Sequence, residues 1–251
     1  MPERRNILIT GASSGLGAQM AREFAARGRN LALCARRLDR LEQLRDELLA
    51  AHPGITVTLA QLDVNDHDRV FTVFREFADE LGGLDRVVVN AGLGKGQPIG
   101  SGRFDANART AATNFLAVLA QCEAAMEIFR AHDAGHLVVV SSISALRGMP
   151  GNRTAYAASK AAAATLAEGI RADTLRTPIA VTTLFPGFIA SEMTAAAGRA
   201  PLQVSTEKGV RSMVRAIERE SASAKVPAWP WIPIGAALRW LPLRMVAAIS
   251  G

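Results

Sequence analysis

Tyr156 and Lys160 lie four positions apart in Tyr156-Ala157-Ala158-Ser159-Lys160, at the start of an alanine-rich stretch with helical character. Residues at i and i+4 share one face of a helix, so the phenol and the ammonium project side by side. A neighbouring ammonium stabilises the phenolate and lowers a phenol pKa that is otherwise about 10. Such a phenol can give a proton to a carbonyl oxygen during reduction, or take one from an alcohol during oxidation. Tyr156 is the only tyrosine in the chain, so no second phenol competes for that role. On its own a Tyr–Lys pair is more often surface decoration than an active site. The surrounding elements decide.

A second candidate stands near the amino terminus. The strand-like run Ile7–Ile9 leads into Thr10-Gly11-Ala12-Ser13-Ser14-Gly15-Leu16-Gly17, after which a helix begins. A glycine-rich strand-to-helix turn lets the backbone approach a pyrophosphate, whose charge then faces the positive helix terminus. The spacing is Gly-x3-Gly-x-Gly, and Gly17 is followed by Ala18 rather than by Lys and Ser or Thr, which excludes the ATPase type of phosphate loop. The next strand-like run, Leu31–Cys34, ends in Ala35-Arg36-Arg37. NAD-binding proteins usually place an acid there for the ribose 2′-hydroxyl, whereas a guanidinium suits the 2′-phosphate of NADP. Arg36 and Arg37, with the hydroxyl of Ser13 nearby in the turn, therefore predict NADP(H) rather than NAD.

Positioning these groups is the task of a regular frame. Ile7–Ile9, Leu31–Cys34, Val57–Leu59, Val87–Val89, Leu137–Val140 and Val181–Phe185 are short apolar runs without period-2 alternation, as expected of parallel strands buried on both faces. Helical patterns separate them: Leu38, Leu41, Leu44 and Leu48, then Val70, Phe74, Phe77 and Leu81, then stretches near 16–27, 107–131, 156–174 and 206–219. This alternation predicts an α/β fold, a Rossmann-type doubly wound parallel sheet in a single domain. Residues 1–224 form the dinucleotide-binding and catalytic part on this reading, and 225–251 a carboxyl-terminal extension.

These pieces together resemble the short-chain dehydrogenase/reductase family over nearly the whole chain. The carriers are the turn Thr10-Gly11-x3-Gly15-x-Gly17, Asn90-Ala91-Gly92 after the fourth strand, Asn114, Ser142, Tyr156 and Lys160 in that order, and Pro186-Gly187 after the sixth strand. The resemblance implies hydride exchange between a nicotinamide and a substrate carbon while Tyr156 handles the proton. It implies that Lys160 lowers the Tyr156 pKa and holds the nicotinamide ribose, that Ser142 hydrogen-bonds the substrate oxygen, and that Asn114 supports a water relay to Lys160. Cofactor contacts are implied at Gly11, Ser13, Ser14, Gly15, Leu16 and Gly17, and at Arg36 and Arg37. Asp63 and Val64 fall beside the adenine, with a cap of the following helix as the other reading of Asp63. Further contacts are implied at Asn90, Ala91, Gly92, Tyr156, Lys160, Pro186, Gly187, Ile189 and Ser191, where Ser191 replaces a threonine common in the family. The serine-to-tyrosine interval is one residue longer than the family's common one. Ser141 and Ser144 thus stand beside Ser142 as candidates, Ser142 being preferred because it follows the strand directly.

Composition narrows the setting. The chain has 251 residues, 49% hydrophobic and 21% charged, with a formal net charge of +6. Its arginines are dispersed and lack an aromatic-rich basic patch, which argues against nucleic acid as a partner. Cys34 and Cys122 lie in apolar runs and are expected to be structural thiols in a reducing compartment. The four histidines show no metal-ligand spacing. Met1 to Arg5 leaves no room for an apolar signal region, and no apolar run reaches the ~20 residues that span a bilayer, so a cytoplasmic protein is expected.

The extension is different. Residues 225–251 hold all three tryptophans, several prolines, Lys225, Arg239 and Arg244, and no acidic residue. Tryptophan with arginine suits a membrane–water boundary or a subunit contact, so a peripheral membrane contact and a homo-oligomer (dimer or tetramer) are both expected partners. The segment Phe188 to Val204, with Met193, Ala195 to Ala197, Pro201 and Leu202, is apolar and suits a lid over a small hydrophobic carbonyl or alcohol substrate. Two rivals from other classes are a dinucleotide-sensing or scaffold protein without catalysis, and a membrane-bound structural protein whose tail is the functional part.

Overall fold

Seven short strands line up in one sheet in the computed structural model, which describes residues 4–94, 96–192 and 202–250. They are β1 (Asn6–Thr10), β2 (Asn30–Ala35), β3 (Val57–Gln61), β4 (Arg86–Val89), β5 (Gly135–Val140), β6 (Ile179–Pro186) and β7 (Ser223–Val226). Their order is β3-β2-β1-β4-β5-β6-β7, and every pairing is parallel. The order reverses direction between β1 and β4, so loops at the carboxyl ends part there and leave a crevice.

Both faces of the sheet are covered, which explains the uninterrupted aliphatic runs. Leu8, Val87, Val89, Leu137 and Val139 pack into one layer with helices α3 (His67–Leu81), α5 (Ala117–Ala131) and α6 (Thr154–Asp173). Ile7, Ile9, Val88, Val138 and Val140 pack into the other with α1 (Gly15–Ala25), α2 (Leu38–Ala51) and α7 (Thr206–Glu218). The helix expected near 107–131 is longer and interrupted. α4 (Phe104–Ala111) leads through a π-helical turn, Ala112–Leu116, into α5.

β7 carries no apolar run. Its sequence, Ser-Ala-Lys-Val, is that of an edge strand whose polar residues face outward. Lys225 and Val226 belong to it, so the Trp-rich segment begins inside the sheet. It continues as α8 (Ala228–Trp240, with non-helical Trp229) and α9 (Leu243–Ser250). Val246 of α9 is buried against Met149 and Ala157, which ties the end of the chain to the start of α6. Among the described residues, no helix is long and apolar enough to cross a membrane.

At the amino ends of the strands a polar group lies within the core. Arg86 is fully buried; its Nε donates to His136 Nδ1 at 2.9 Å and its terminal nitrogen to Glu218 at 2.6 Å. His136 meets the Thr182 hydroxyl at 2.8 Å, and Arg4 closes the group by donating to Glu220 at 2.8 Å. Burial pushes the His136 pKa well down and lowers that of Arg86.

Candidate active site

The crevice at the β1–β4 switch is a cleft of about 260 Å³ at the carboxyl ends of the strands. Its floor begins at the glycine turn. Gly11 has φ +66°, and a Cβ there would lie 2.9 Å from the Ala91 Cα, so only glycine lets this turn lie against the loop after β4. Thr10 locks the two loops: its hydroxyl accepts the N–H groups of Asn90 and Ala91, each at 3.1 Å, while the Asn90 amide donates to the Thr10 carbonyl at 2.9 Å. Gly17 stands behind the turn, where a Cβ would lie 2.8 Å from the Asn90 amide nitrogen. α3 and α7 are capped by the side chains of Asp66 and Ser205, whereas α1 has no side-chain cap and no acid in its first turn. Its first N–H groups face the cleft at Gly15 and Leu16 and favour an anion there.

At the end of β2 the two arginines part company. Arg37 turns inward, its guanidinium donating to Ser13 at 3.3 Å and to Ser14 at 2.7 Å. Arg36 lines the same end of the cleft with an exposed side chain. A residue that no sequence motif singles out joins them. Glu192, from the loop after β6, takes Arg37 at 3.2 Å and Arg40 at 2.5 Å, and these guanidinium groups lower its pKa. It is 155 positions from Arg37 in the chain, and no local pattern marks it. Asp63 and Val64 also line the cleft; the Asp63 carboxylate accepts the backbone and amide N–H groups of Asn65 at 3.0 and 2.8 Å. The cap of α3 is Asp66, so the capping reading of Asp63 is set aside.

The other end of the cleft gathers Ser142, Tyr156 and Lys160. β5 delivers the serines, and the first turns of α6 deliver the other two. Among the three serines, Ser141 donates its hydroxyl to the Lys160 carbonyl at 2.7 Å, and Ser142 is the one whose hydroxyl acts on the Tyr156 phenol. Ser144 is buried and gives its N–H to the Ser142 oxygen at 3.2 Å. Burial pushes the Tyr156 pKa up, and the Ser142 hydroxyl works against that by stabilising the phenolate. The ammonium of Lys160 points instead to the Val140 carbonyl, 2.9 Å away. Burial lowers its pKa to about 8, and it has no carboxylate partner among the described residues. The direct lowering of the Tyr156 pKa by Lys160 is therefore not part of this geometry. A shared helical face does not oblige two long side chains to meet.

Asn114 lies beneath the cleft, in the π-helical turn, and is fully buried. Its amide accepts the Leu93 N–H and donates to the Leu93 carbonyl, both at 2.8 Å, and donates to Ser159 at 3.2 Å. It thus joins the loop of Asn90, Ala91 and Gly92 to α6. Gly92 is hemmed in between these parts; a Cβ there would lie 3.1 Å from Asn114 Oδ1 and 3.3 Å from Lys160 Nζ.

Pro186, Gly187, Ile189 and Ser191 form the opposite wall. Ser191 covers Gly15, and Gly187 is held by a 2.9 Å bond from its N–H to the Val226 carbonyl. Buried Trp231 lies flat against Gly187 and meets Phe188 edge-on at 5.1 Å, a support behind the wall that composition alone did not assign. Of the apolar segment after Gly187, Met193, Ala195 to Ala197 and Pro201 lie outside the described residues, while Leu202 is exposed. Both cysteines are buried away from the cleft, and burial pushes their thiols up to about 12.

Comparison with known proteins gives a consistent picture. The family pattern described as short chain dehydrogenase matches residues 5–201. An oxidoreductase of Mycobacterium tuberculosis is 53% identical over 242 residues, covering 96% of each chain. A short-chain dehydrogenase from Sphingobium yanoikuyae, solved in complex with NADPH, superposes with a TM-score of 0.82 at 26% identity and covers 93% of each chain. One from Burkholderia phymatum, in complex with NAD, reaches a TM-score of 0.85 at 22% identity over 98% of this chain and 97% of that one, a likeness of fold.

Proposed function

The chain belongs to the short-chain dehydrogenase family of oxidoreductases, and from that premise we propose that it is an NADP(H)-dependent enzyme interconverting a ketone, or a 3-oxoacyl-type carbonyl, and a secondary alcohol. The observation that carries this is one cleft with two unlike ends: the uncapped turn with Arg37 at one, and Tyr156 with Ser142 and Lys160 at the other. The donor set suits the cofactor, since the first N–H groups of α1 fit a pyrophosphate and the guanidinium groups of Arg36 and Arg37 fit a 2′-phosphate. When bound, the nicotinamide supplies or accepts the hydride.

The chain's own groups do the rest. Tyr156 donates its phenolic proton to the carbonyl oxygen during reduction and takes it back during oxidation. Ser142, whose hydroxyl faces the cleft beside that phenol, holds the same oxygen and stabilises the charge that develops on it. Lys160, anchored on the Val140 carbonyl beside the cleft, holds the nicotinamide ribose. Asn114 fixes the loop behind Lys160 and serves as the positioning residue for proton exchange with it. Pro186 and Ile189 line the wall, with Trp231 packed behind Gly187, and this apolar side favours a small hydrophobic substrate.

Glu192 sharpens the cofactor assignment. It occupies the Arg37 guanidinium, one of the two that a 2′-phosphate would use, so the phosphate must displace a carboxylate from Arg37 to bind it. The test is a screen of ketones and alcohols with NADPH and NADH, read at the nicotinamide absorbance band, with Arg36→Ala and Arg37→Ala alongside. Turnover with NADPH that is lost in Arg37→Ala while NADH turnover persists is the expected result. Equal loss with both cofactors would undo the NADP(H) assignment, and no turnover with either would undo the catalytic one.

A further inference from the structure

Beyond Glu220 the chain contains no carboxylate side chain; its charged residues are Lys225, Arg239 and Arg244. α8 has two unlike faces. The inner one is seated: Trp231 packs on Gly187, and Gly235 lets the Lys225 stem and Leu146 approach closely. The outer one carries Ile232, Pro233, Ala236, Ala237 and Trp240, preceded by Trp229 and continued by Leu243 and Met245. Trp240 is 89% exposed, Trp229 79% and Leu243 63%, and none of the described elements covers them. So large a run of exposed apolar side chains on a soluble-type fold marks a contact surface.

Beside this stripe runs a groove of about 250 Å³ between α6, the edge of the sheet and α8. Arg171, Lys225 and Arg239 line it, with Glu168 as the single acid, 3.8 Å from Arg171. Thr183 lies in its wall, 2% exposed, with a hydroxyl that has no hydrogen-bond partner among the described residues. Cations and an unspent buried donor in one groove suit a phosphate oxygen.

We propose that this face docks on an anionic lipid surface, the outer stripe of α8 and α9 lying in the interfacial layer and the groove receiving a lipid phosphate. Tryptophans and aliphatics flanked by arginines are the composition of helices that lie in the headgroup region. α8 and α9 are too short to span, so the attachment is peripheral. A second copy of the chain is the poorer occupant. A two-fold contact would set this cationic segment against a copy of itself, with no carboxylate side chain in either copy's segment to offset Lys225, Arg239 and Arg244. The inference is independent of the catalytic reading, because its test measures partition rather than turnover.

The full chain is floated with vesicles of phosphatidylcholine alone and of phosphatidylcholine with phosphatidylglycerol, while tryptophan emission is followed. The expected result is partition at least about tenfold stronger onto the anionic vesicles, weakened by salt, with a blue shift. Trp229→Ser with Trp240→Ser should lower partition at least about tenfold on both vesicle types, with thermal unfolding unchanged because both rings are exposed. Arg239→Gln with Arg244→Gln should erase only the preference for the anionic vesicles. Equal partition of the parent and the double-tryptophan variant would overturn the proposal. So would stabilisation by inorganic phosphate without partition, or a concentration-dependent dimer that Trp240→Ser dissolves while vesicles bind neither protein.

Discussion

The two ends of one sheet each bury a cation, and they treat it in opposite ways. At the amino ends, Arg86 is surrounded by His136, Glu218 and the ring of Phe24, whose centroid is 5.8 Å away. At the carboxyl ends, Lys160 has one backbone carbonyl and no counter-charge among the described residues. A buried ion with its donors satisfied can only be a fixture, since any change costs its partners as well. A buried ammonium with donors to spare is costly to fold around, and is a common mark of a working site. Burial alone therefore separates nothing; the state of the partners does.

Several substitutions would break or sharpen that contrast. Tyr156→Phe should lower turnover by up to about 10⁴-fold while NADPH binding stays within a few-fold, measured by steady-state rates and by quenching titration. Arg86→Ala should leave the active cleft unaltered but destabilise the fold by roughly 3–5 kcal/mol, seen as a lower urea midpoint, because Glu218 and buried His136 lose the hydrogen bonds Arg86 gives them. Arg37→Ala should weaken NADPH by about 10- to 100-fold and NADH little. Glu192→Gln should do the reverse, tightening NADPH a few-fold by removing the competing carboxylate.

The smallest effect concerns protons, and both buried bases act with the same sign. The pKa of His136 is depressed below its ordinary 6.5, so the unfolded chain takes up a proton that the folded one refuses. Its contribution to stability is full above pH 6.5 and falls as pH drops, by at most about 1.4 kcal/mol per pH unit. Lys160, at about 8 against 10.5 unfolded, produces a separate window in which stability rises from pH 8 towards 10.5. Denaturant titrations of His136→Gln and Lys160→Met should each flatten only its own window.

Much of this architecture is legible in the sequence because two-sided burial leaves continuous aliphatic runs, as in Val87–Val89 and Leu137–Val140. β7 escapes that logic, since an edge strand buries only part of its surface and Ser-Ala-Lys-Val resembles a loop. The glycine turn is legible too, because positive φ and close packing admit few residue types at Gly11. Glu192 and Trp231 are not, for their roles exist only across long chain separations. The serine assignment is intermediate: three hydroxyls within four positions look alike until β5 ends and the backbone turns one of them toward Tyr156. The i, i+4 spacing makes the common face of Tyr156 and Lys160 legible, whereas the turn of the ammonium to the Val140 carbonyl is set by β5 and leaves no local signal.

Glu192 has a kinetic consequence. Tethered in the same chain, it faces Arg37 and Arg40 at an effective concentration of about millimolar or more, without dilution. An arriving phosphate exchanges with a resident counter-ion instead of falling onto bare charge. Capture is then slower and steered less by the long-range field, and departure is assisted because the carboxylate returns as the phosphate leaves. Salt, which screens the old pair as well as the new one, should alter this exchange less than it would alter binding to two unpaired arginines. On the proposed NADP(H) reading, Glu192 would thus set the pace of cofactor exchange as well as its selectivity.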